Sequence, residues 1–325
     1  MQTQTSTDVL TKHQNSSPQI IAAPFTPFKA DGSIHLDVLA NYAESLRTSG
    51  VSGVFIGGTT GEGLSLTTQE RMGLAERWSA VAPASLRVIV HVGHTSILEA
   101  KRLASHAESV GATGIASIGS IFFEPSSPES WIATCREIAA SAPATPFFYY
   151  HMPSMSRIRW AASTLIPGMA HSIPTFSGVK FTHEDLEDYS KCLRLAGGRL
   201  HIFFGRDELF LEGLKLGAVG AVGSTYNFAA PLYLKIARLH AEGNAAEAAT
   251  WQDLCTRAIQ IMVSFGGLPG IRSTMKLCGI DCGPMRLPML ALSKHQELEL
   301  EAQLRELGFF ERLESAQAEI QEAAR

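Results

Sequence analysis

The chain has 325 residues, 45% of them apolar and 18% charged, with a formal charge of −4. That length allows two ordinary domains or one barrel with an extension, and the composition is that of a globular protein. The slightly acidic balance excludes the basic footprint of a nucleic-acid binder, and no run is long and apolar enough to span a bilayer.

Residues 1–18 are rich in Thr, Gln and Ser, with neither a basic start nor an apolar run, and read as a flexible tail rather than a secretory signal. From Gln19 onward, short β-rich apolar runs alternate with longer amphipathic ones. Strands are expected over 19–24, 52–57, 87–92, 114–118, 146–150, 175–180, 200–204 and 219–223, and helical patterns between them include 68–81, 97–110 and 207–216. Thr67-x-x-Glu70 is a capping box for the first of these helices. Eight alternating βα units imply parallel strands and suit a closed (β/α)8 TIM barrel. The rival, an open doubly wound sheet, calls for a Gly-rich first turn, but residues 25–36 contain Pro27 and only Gly32.

After a helix at 232–241 the pattern becomes purely helical, over 245–265, 271–277 and 292–307, with breaks at Gly266-Gly267, Pro269-Gly270 and Gly283-Pro284. We therefore expect a barrel over residues 19–242 and a C-terminal helical extension over 243–325. The five cysteines, Cys135, Cys192, Cys255, Cys278 and Cys282, are scattered and odd in number, which fits reduced thiols in a cytoplasmic protein.

A barrel of this kind carries its chemistry at the C-terminal ends of its strands. Lys180 ends the sixth strand, in Ser177-Gly-Val-Lys-Phe-Thr182, and alternation sends its amine to the face opposite Val179 and Phe181. Thr182 then reads as the N-cap of a helix carrying Leu186, Tyr189 and Leu193 on one face. A catalytic amine and an edge-strand lysine that blunts strand pairing are the two readings. The second strand ends in Gly57-Gly-Thr-Thr-Gly-Glu-Gly63, where glycines around Thr59 and Thr60 let backbone N–H groups converge on a carboxylate or phosphate; a plain tight turn is the alternative. The fifth ends in Tyr149-Tyr150-His151-Met152-Pro153, offering a phenol for proton transfer or two packing aromatics. Asp207 and Glu208 after the seventh strand, and Ser224 after the eighth, suit a polyol, although the acids also suit a helix N-terminus. His91-Val-Gly-His94 would support a metal-dependent aldolase only if the strand end bent to aim both rings at one ion.

Together these segments resemble the N-acetylneuraminate lyase and dihydrodipicolinate synthase family of lysine-dependent aldolases, from about Ile20 to Leu313. The resemblance rests on Gly57-Gly-Thr-Thr-Gly-Glu62, Tyr150-His-Met-Pro153, Gly178-Val-Lys-Phe-Thr182 and Gly223-Ser-Thr-Tyr-Asn227. It implies an imine between Lys180 and pyruvate, a carboxylate held by Thr59 and Thr60, and proton transfer by Tyr150, with Thr60 in any relay. It implies substrate contacts from Thr182, Gly205, Asp207, Glu208 and Ser224, no metal or organic cofactor, and a homotetramer.

The sialic acid lyases of the family are most similar, in Phe204-Gly-Arg-Asp-Glu208, in Tyr149-Tyr150-His151 and in Gly283-Pro-Met-Arg-Leu-Pro288. The implied reaction is reversible cleavage of N-acetylneuraminate to N-acetylmannosamine and pyruvate. Another pyruvate-dependent 2-keto acid aldolase, a sugar-acid dehydratase, and a non-catalytic sugar-acid-binding barrel are the alternatives. Met155 stands where the synthases have an arginine, with Arg157 nearby, and Phe123 stands where many members have a tyrosine that a neighbouring subunit inserts.

Overall fold

The computed structural model describes residues 18–323. Apart from Pro18, the expected tail lies outside the described residues. Eight parallel strands, β1 (Gln19–Ala22), β2 (Gly53–Ile56), β3 (Arg87–His91), β4 (Gly114–Ile118), β5 (Phe147–His151), β6 (Phe176–Phe181), β7 (His201–Phe204) and β8 (Gly220–Gly223), close into a barrel in sequence order. The expected alternation is therefore a TIM barrel.

Near-continuous apolar runs give each strand two buried faces, as a sheet covered on both sides requires. Ile21, Phe55, Ile89, Phe148, Phe203 and Val222 fill the barrel interior. Val54, Val88, Ile115, Val179, Phe181 and Ile202 face the surrounding helices. These helices are α1 (Leu39–Thr48), α2 (Thr68–Val81), α3 (Ile97–Ser109), α4 (Pro128–Ala139), α5 (Ala162–Ser172), α6 (Leu186–Ala196), α7 (Phe210–Lys215) and α8 (Tyr226–Ala241). The Thr67–Glu70 capping box forms with both of its reciprocal bonds.

One irregularity positions the site. Phe147 pairs with Phe176 but Phe148 pairs with Gly178, so Ser177 is an extra residue that bulges out of β6. Downstream, Tyr150 is the register partner of Lys180. A one-residue slip would turn Lys180 out of the barrel, because side chains alternate faces.

The extension comprises α9 (Ala245–Ser264), α10 (Leu268–Leu277), α11 (Lys294–Glu306) and α12 (Phe309–Ala323). Three boundaries depart from expectation. α8 starts at Tyr226 rather than 232 and runs through Pro231, because its first eight residues are all buried and packing outweighs the proline penalty. α10 starts at Leu268 rather than 271, since Pro269 in a first turn has no N–H bond to lose. α12 lies beyond the last expected helix; it starts after the left-handed Gly308 and buries Phe309 and Ala316. Among the described residues no single helix is long and apolar enough to cross a membrane.

Candidate active site

All nine residues proposed from sequence, Thr59, Thr60, Tyr150, Lys180, Thr182, Gly205, Asp207, Glu208 and Ser224, line one cavity of about 500 Å³ at the C-terminal end of the barrel. Lys180 is 5% exposed. Its Nζ lies 4.0 Å from the centroid of the Phe55 ring and 4.2 Å from that of Tyr150. Burial lowers its pKa from 10.5 to about 7, against a smaller opposing pull from the Asp207 charge. The amine is thus poised between its nucleophilic and protonated forms at neutral pH. The edge-strand reading of Lys180 falls, since β6 is paired on both sides in a closed barrel and the amine is buried inside it.

The two tyrosines face opposite sides of β5. Tyr149 packs outward against Trp131, whereas Tyr150 points into the barrel. The Tyr150 hydroxyl lies 3.3 Å from Thr59 Oγ1 and donates to Met152 Sδ at 3.0 Å. Burial raises the pKa of this phenol, and the Thr59 and Thr182 hydroxyls partly offset the rise.

Thr182 does not cap a helix. Its N–H continues the sheet by bonding to His151 O at 2.8 Å, and the cap of α6 is Asp185, whose side chain accepts from Asp188 N–H at 2.9 Å. The cap motif thus begins three residues later than expected, which leaves the Thr182 hydroxyl free to face the Tyr150 phenol in the site. Of the face expected for this helix, Tyr189 is fully buried and Leu186 and Leu193 pack against the core.

Asp207 and Glu208 differ in availability. Asp207 Oδ2 accepts from Thr225 N–H at 3.0 Å and from the Thr225 hydroxyl at 2.6 Å, and the Tyr233 hydroxyl lies 2.9 Å beyond. A Cβ on Gly223 would fall 1.8 Å from Asp207 Oδ1, so only glycine lets this carboxylate lie against β8. Burial raises its pKa to about 6. Glu208 is paired with Arg206 at 2.7 Å, and Arg206 approaches Glu184 at 4.0 Å. A polyol reaching Glu208 therefore meets an ion pair rather than a bare carboxylate. Ser224 is held by Asn227, whose Nδ2 donates to Ser224 O and Ala23 O, both at 2.7 Å.

His91 is structural. Its Nδ1–H donates to Gly57 O at 2.9 Å and its Nε2 accepts from Ile118 N–H at 3.2 Å, so both ring nitrogens brace the strand ends. His94 Nδ1 accepts from Ser96 N–H at 2.9 Å. Among the described residues no group of three or more His, Cys, Asp or Glu side chains is placed to hold a metal.

Sequence reasoning missed the contribution of the extension. Ile259, Val263, Leu268, Ile271 and Met289 line the cavity, as do Met152 and Arg206. Helix α9 also secures the turn after β7, with Gln252 Nε2 donating to Asp207 O at 3.2 Å and Thr256 Oγ1 to Glu208 O at 3.1 Å. The glycine break between α9 and α10 was visible in the sequence, but not which wall it would form. Met155 lines the cavity and Arg157 is not among its lining residues. Phe123 lies outside it, 78% exposed.

Comparison with known proteins gives a consistent result. A sequence model described as the dihydrodipicolinate synthetase family matches residues 16–307. An N-acetylneuraminate lyase of Mus musculus is 38% identical over 295 residues, covering 89% of this chain and 92% of that protein. The solved N-acetylneuraminate lyase of Proteus mirabilis superposes with a TM-score of 0.87 at 38% identity, covering 91% of this chain and 100% of that one. A Sulfolobus solfataricus 2-keto-3-deoxygluconate aldolase variant, in complex with L-2-keto-3-deoxy-galactonate, has a TM-score of 0.84 at 25% identity, covering 93% and 99%.

Proposed function

The chain belongs to the dihydrodipicolinate synthetase family, and we propose that within it this protein is a Schiff-base aldolase that reversibly cleaves N-acetylneuraminate to N-acetylmannosamine and pyruvate. The observation that carries the reading is the buried amine of Lys180 against the Tyr150 ring, in the same cavity as the Thr59–Thr60 turn and the Asp207, Glu208 and Ser224 group. A sugar-acid-binding barrel has no use for a lysine whose pKa burial has brought to about 7.

In the proposed mechanism the neutral Lys180 amine adds to the C2 ketone of the open-chain sugar acid, whose carboxylate is held by Thr59 and Thr60. The carbinolamine loses its hydroxyl as water by taking the Tyr150 proton, which leaves an iminium beside a phenolate; the iminium charge favours that phenolate. Tyr150 then accepts the C4 hydroxyl proton as the C3–C4 bond breaks. The bonding pair moves into a C2–C3 enamine, and N-acetylmannosamine departs as the aldehyde. Tyr150 returns the proton to C3. Water adds to C2, giving its proton to Tyr150, and pyruvate leaves with the free amine restored. Thr60, Thr182 and Gly205 line the path, and Asp207, Glu208 and Ser224 hold the N-acetylated polyol.

Met155 in place of an arginine argues against the synthase, which must hold a second carboxylate. The likeness to a 2-keto-3-deoxygluconate aldolase keeps a shorter sugar acid as the second reading. We further divide the chain into a tail (1–18), a catalytic barrel (19–242) and a helical extension (243–325). On the family resemblance and the five free thiols we assign a cytoplasmic homotetramer.

Reduction with borohydride in the presence of pyruvate, followed by peptide mass mapping, tests the imine. A reduced three-carbon adduct on Lys180 is expected, and its absence would falsify the mechanism. Turnover of N-acetylneuraminate against 2-keto-3-deoxy sugar acids then decides between the two substrates.

A further inference from the structure

The Thr59–Thr60 turn is held from outside the barrel. Glu62 closes it, with its N–H bonded to Thr59 O at 3.0 Å. Glu62 is also the single non-glycine residue with positive φ among the described residues, at 54°. A glutamate in the left-handed region is unfavourable unless its surroundings over-determine it. Here they do. The Glu62 carboxylate is fully buried and meets Arg272 Nη1 at 3.4 Å and the Arg286 backbone N–H at 3.4 Å.

Arg272 comes from α10 of the extension and is 5% exposed. Besides Glu62 it donates to four backbone carbonyls: Gly283 O at 2.9 Å, Thr26 O at 3.1 Å, Pro284 O at 2.8 Å, and Cys282 O. Thr26 in turn donates its hydroxyl to Gly61 O at 2.6 Å. One guanidinium therefore joins three separate stretches of chain: the β1 loop, the Thr59–Glu62 turn and the segment after α10. A buried ion pair is weak evidence of stability, because desolvation opposes it. Its placement behind a ligand-binding turn gives it a geometric use instead.

We propose that Arg272 and Glu62 form a clamp through which the C-terminal extension sets the geometry of the Thr59–Thr60 turn, which makes Arg272 a positioning residue for the 2-keto acid carboxylate. The proposal rests on the reading that this turn holds that carboxylate. The extension then has a role in substrate binding beyond its share of the cavity wall.

The test uses steady-state kinetics of the full-length protein in the synthesis direction, with pyruvate and N-acetylmannosamine varied separately. Glu62→Gln keeps the side-chain shape and removes the charge; Arg272→Lys keeps a charge but loses the fork; Arg272→Met loses both. For Arg272→Met and Glu62→Gln we expect KM for pyruvate to rise by about tenfold or more, with KM for N-acetylmannosamine and the pH profile of the amine unchanged and Arg272→Lys intermediate. If Arg272→Met does not fold, Glu62→Gln carries the test. A fall in kcat at constant KM, or an equal rise in both KM values, overturns the clamp. Thr60→Val separates the two levels of the argument. If it leaves KM for pyruvate unchanged, the carboxylate reading fails; if it raises that KM while Glu62→Gln does not, only the clamp fails.

Discussion

Lys180 and Tyr150 are register partners on adjacent parallel strands, and the lysine Nζ lies 4.2 Å from the centroid of the tyrosine ring. The pairing depends on the bulge at Ser177, which places both side chains on the inner face.

The amine should govern the acid limb of activity. With the Lys180 pKa lowered to about 7, kcat/KM for imine formation should rise as pH passes through about 7 and level off above it. The same shift has a consequence for folding. Between about 7 and 10.5 the unfolded chain binds the proton that the folded one has released, so stability from this group grows with pH and is lost as pH falls toward 7. Lys180→Met should therefore be stabilising at neutral pH relative to wild type, and less so at pH 10, in urea titrations.

Asp207 holds the Lys180 pKa up through its charge. Asp207→Asn should move the acid limb of the pH profile to lower pH. Because burial raises the Asp207 carboxyl to about 6, its ionisation opposes folding as pH rises through that value. The variant should thus gain stability relative to wild type above pH 6, with no gain at pH 4.

Tyr150→Phe keeps the ring against Lys180 and Phe55 and removes the proton carrier. Cleavage should fall by about 10² to 10⁴-fold, while the melting temperature stays close to that of wild type. Stopped-flow of the cleavage step, beside a melting curve, separates the two effects.

Removing the Glu208 carboxylate, in Glu208→Ala, should raise KM for N-acetylneuraminate by about 5- to 30-fold, the loss of one or two charge-assisted hydrogen bonds. KM for pyruvate in the synthesis direction should not change. Unchanged sialic acid kinetics would remove Glu208 from the tail site.

The bulge has its own test. At Gly178, φ is 152° and an added Cβ would sit 1.9 Å from His201 O. Gly178→Ala should destabilise the fold by roughly 2 kcal/mol or more and, if it folds, lose borohydride trapping on Lys180 through misplacement of the strand.

Much of the barrel was legible because the signals are local. Short, β-rich apolar runs mark strands within a residue or two of β1 to β8, and Thr67-x-x-Glu70 marks the start of α2. The inward face of Lys180 follows from its alternation with Val179 and Phe181. Two errors were also local in origin. Thr182 has the form of an N-cap, but its N–H bonds to the sheet and Asp185 caps α6 instead, and the helix expected from 232 starts at Tyr226 and runs through Pro231. In each case a longer-range bond or burial outweighed a local preference.

The sequence by itself determined the fold class and which residue types stand at the strand ends, since alternation and turn chemistry act between near neighbours. Only the tertiary structure decided which of those groups are free. Asp207 is held by Thr225 and Glu208 by Arg206, the extension supplies one wall of the cavity, and Arg272 reaches Glu62 across 210 residues of chain. Such contacts depend on how distant segments pack, and no periodicity or cap motif encodes them.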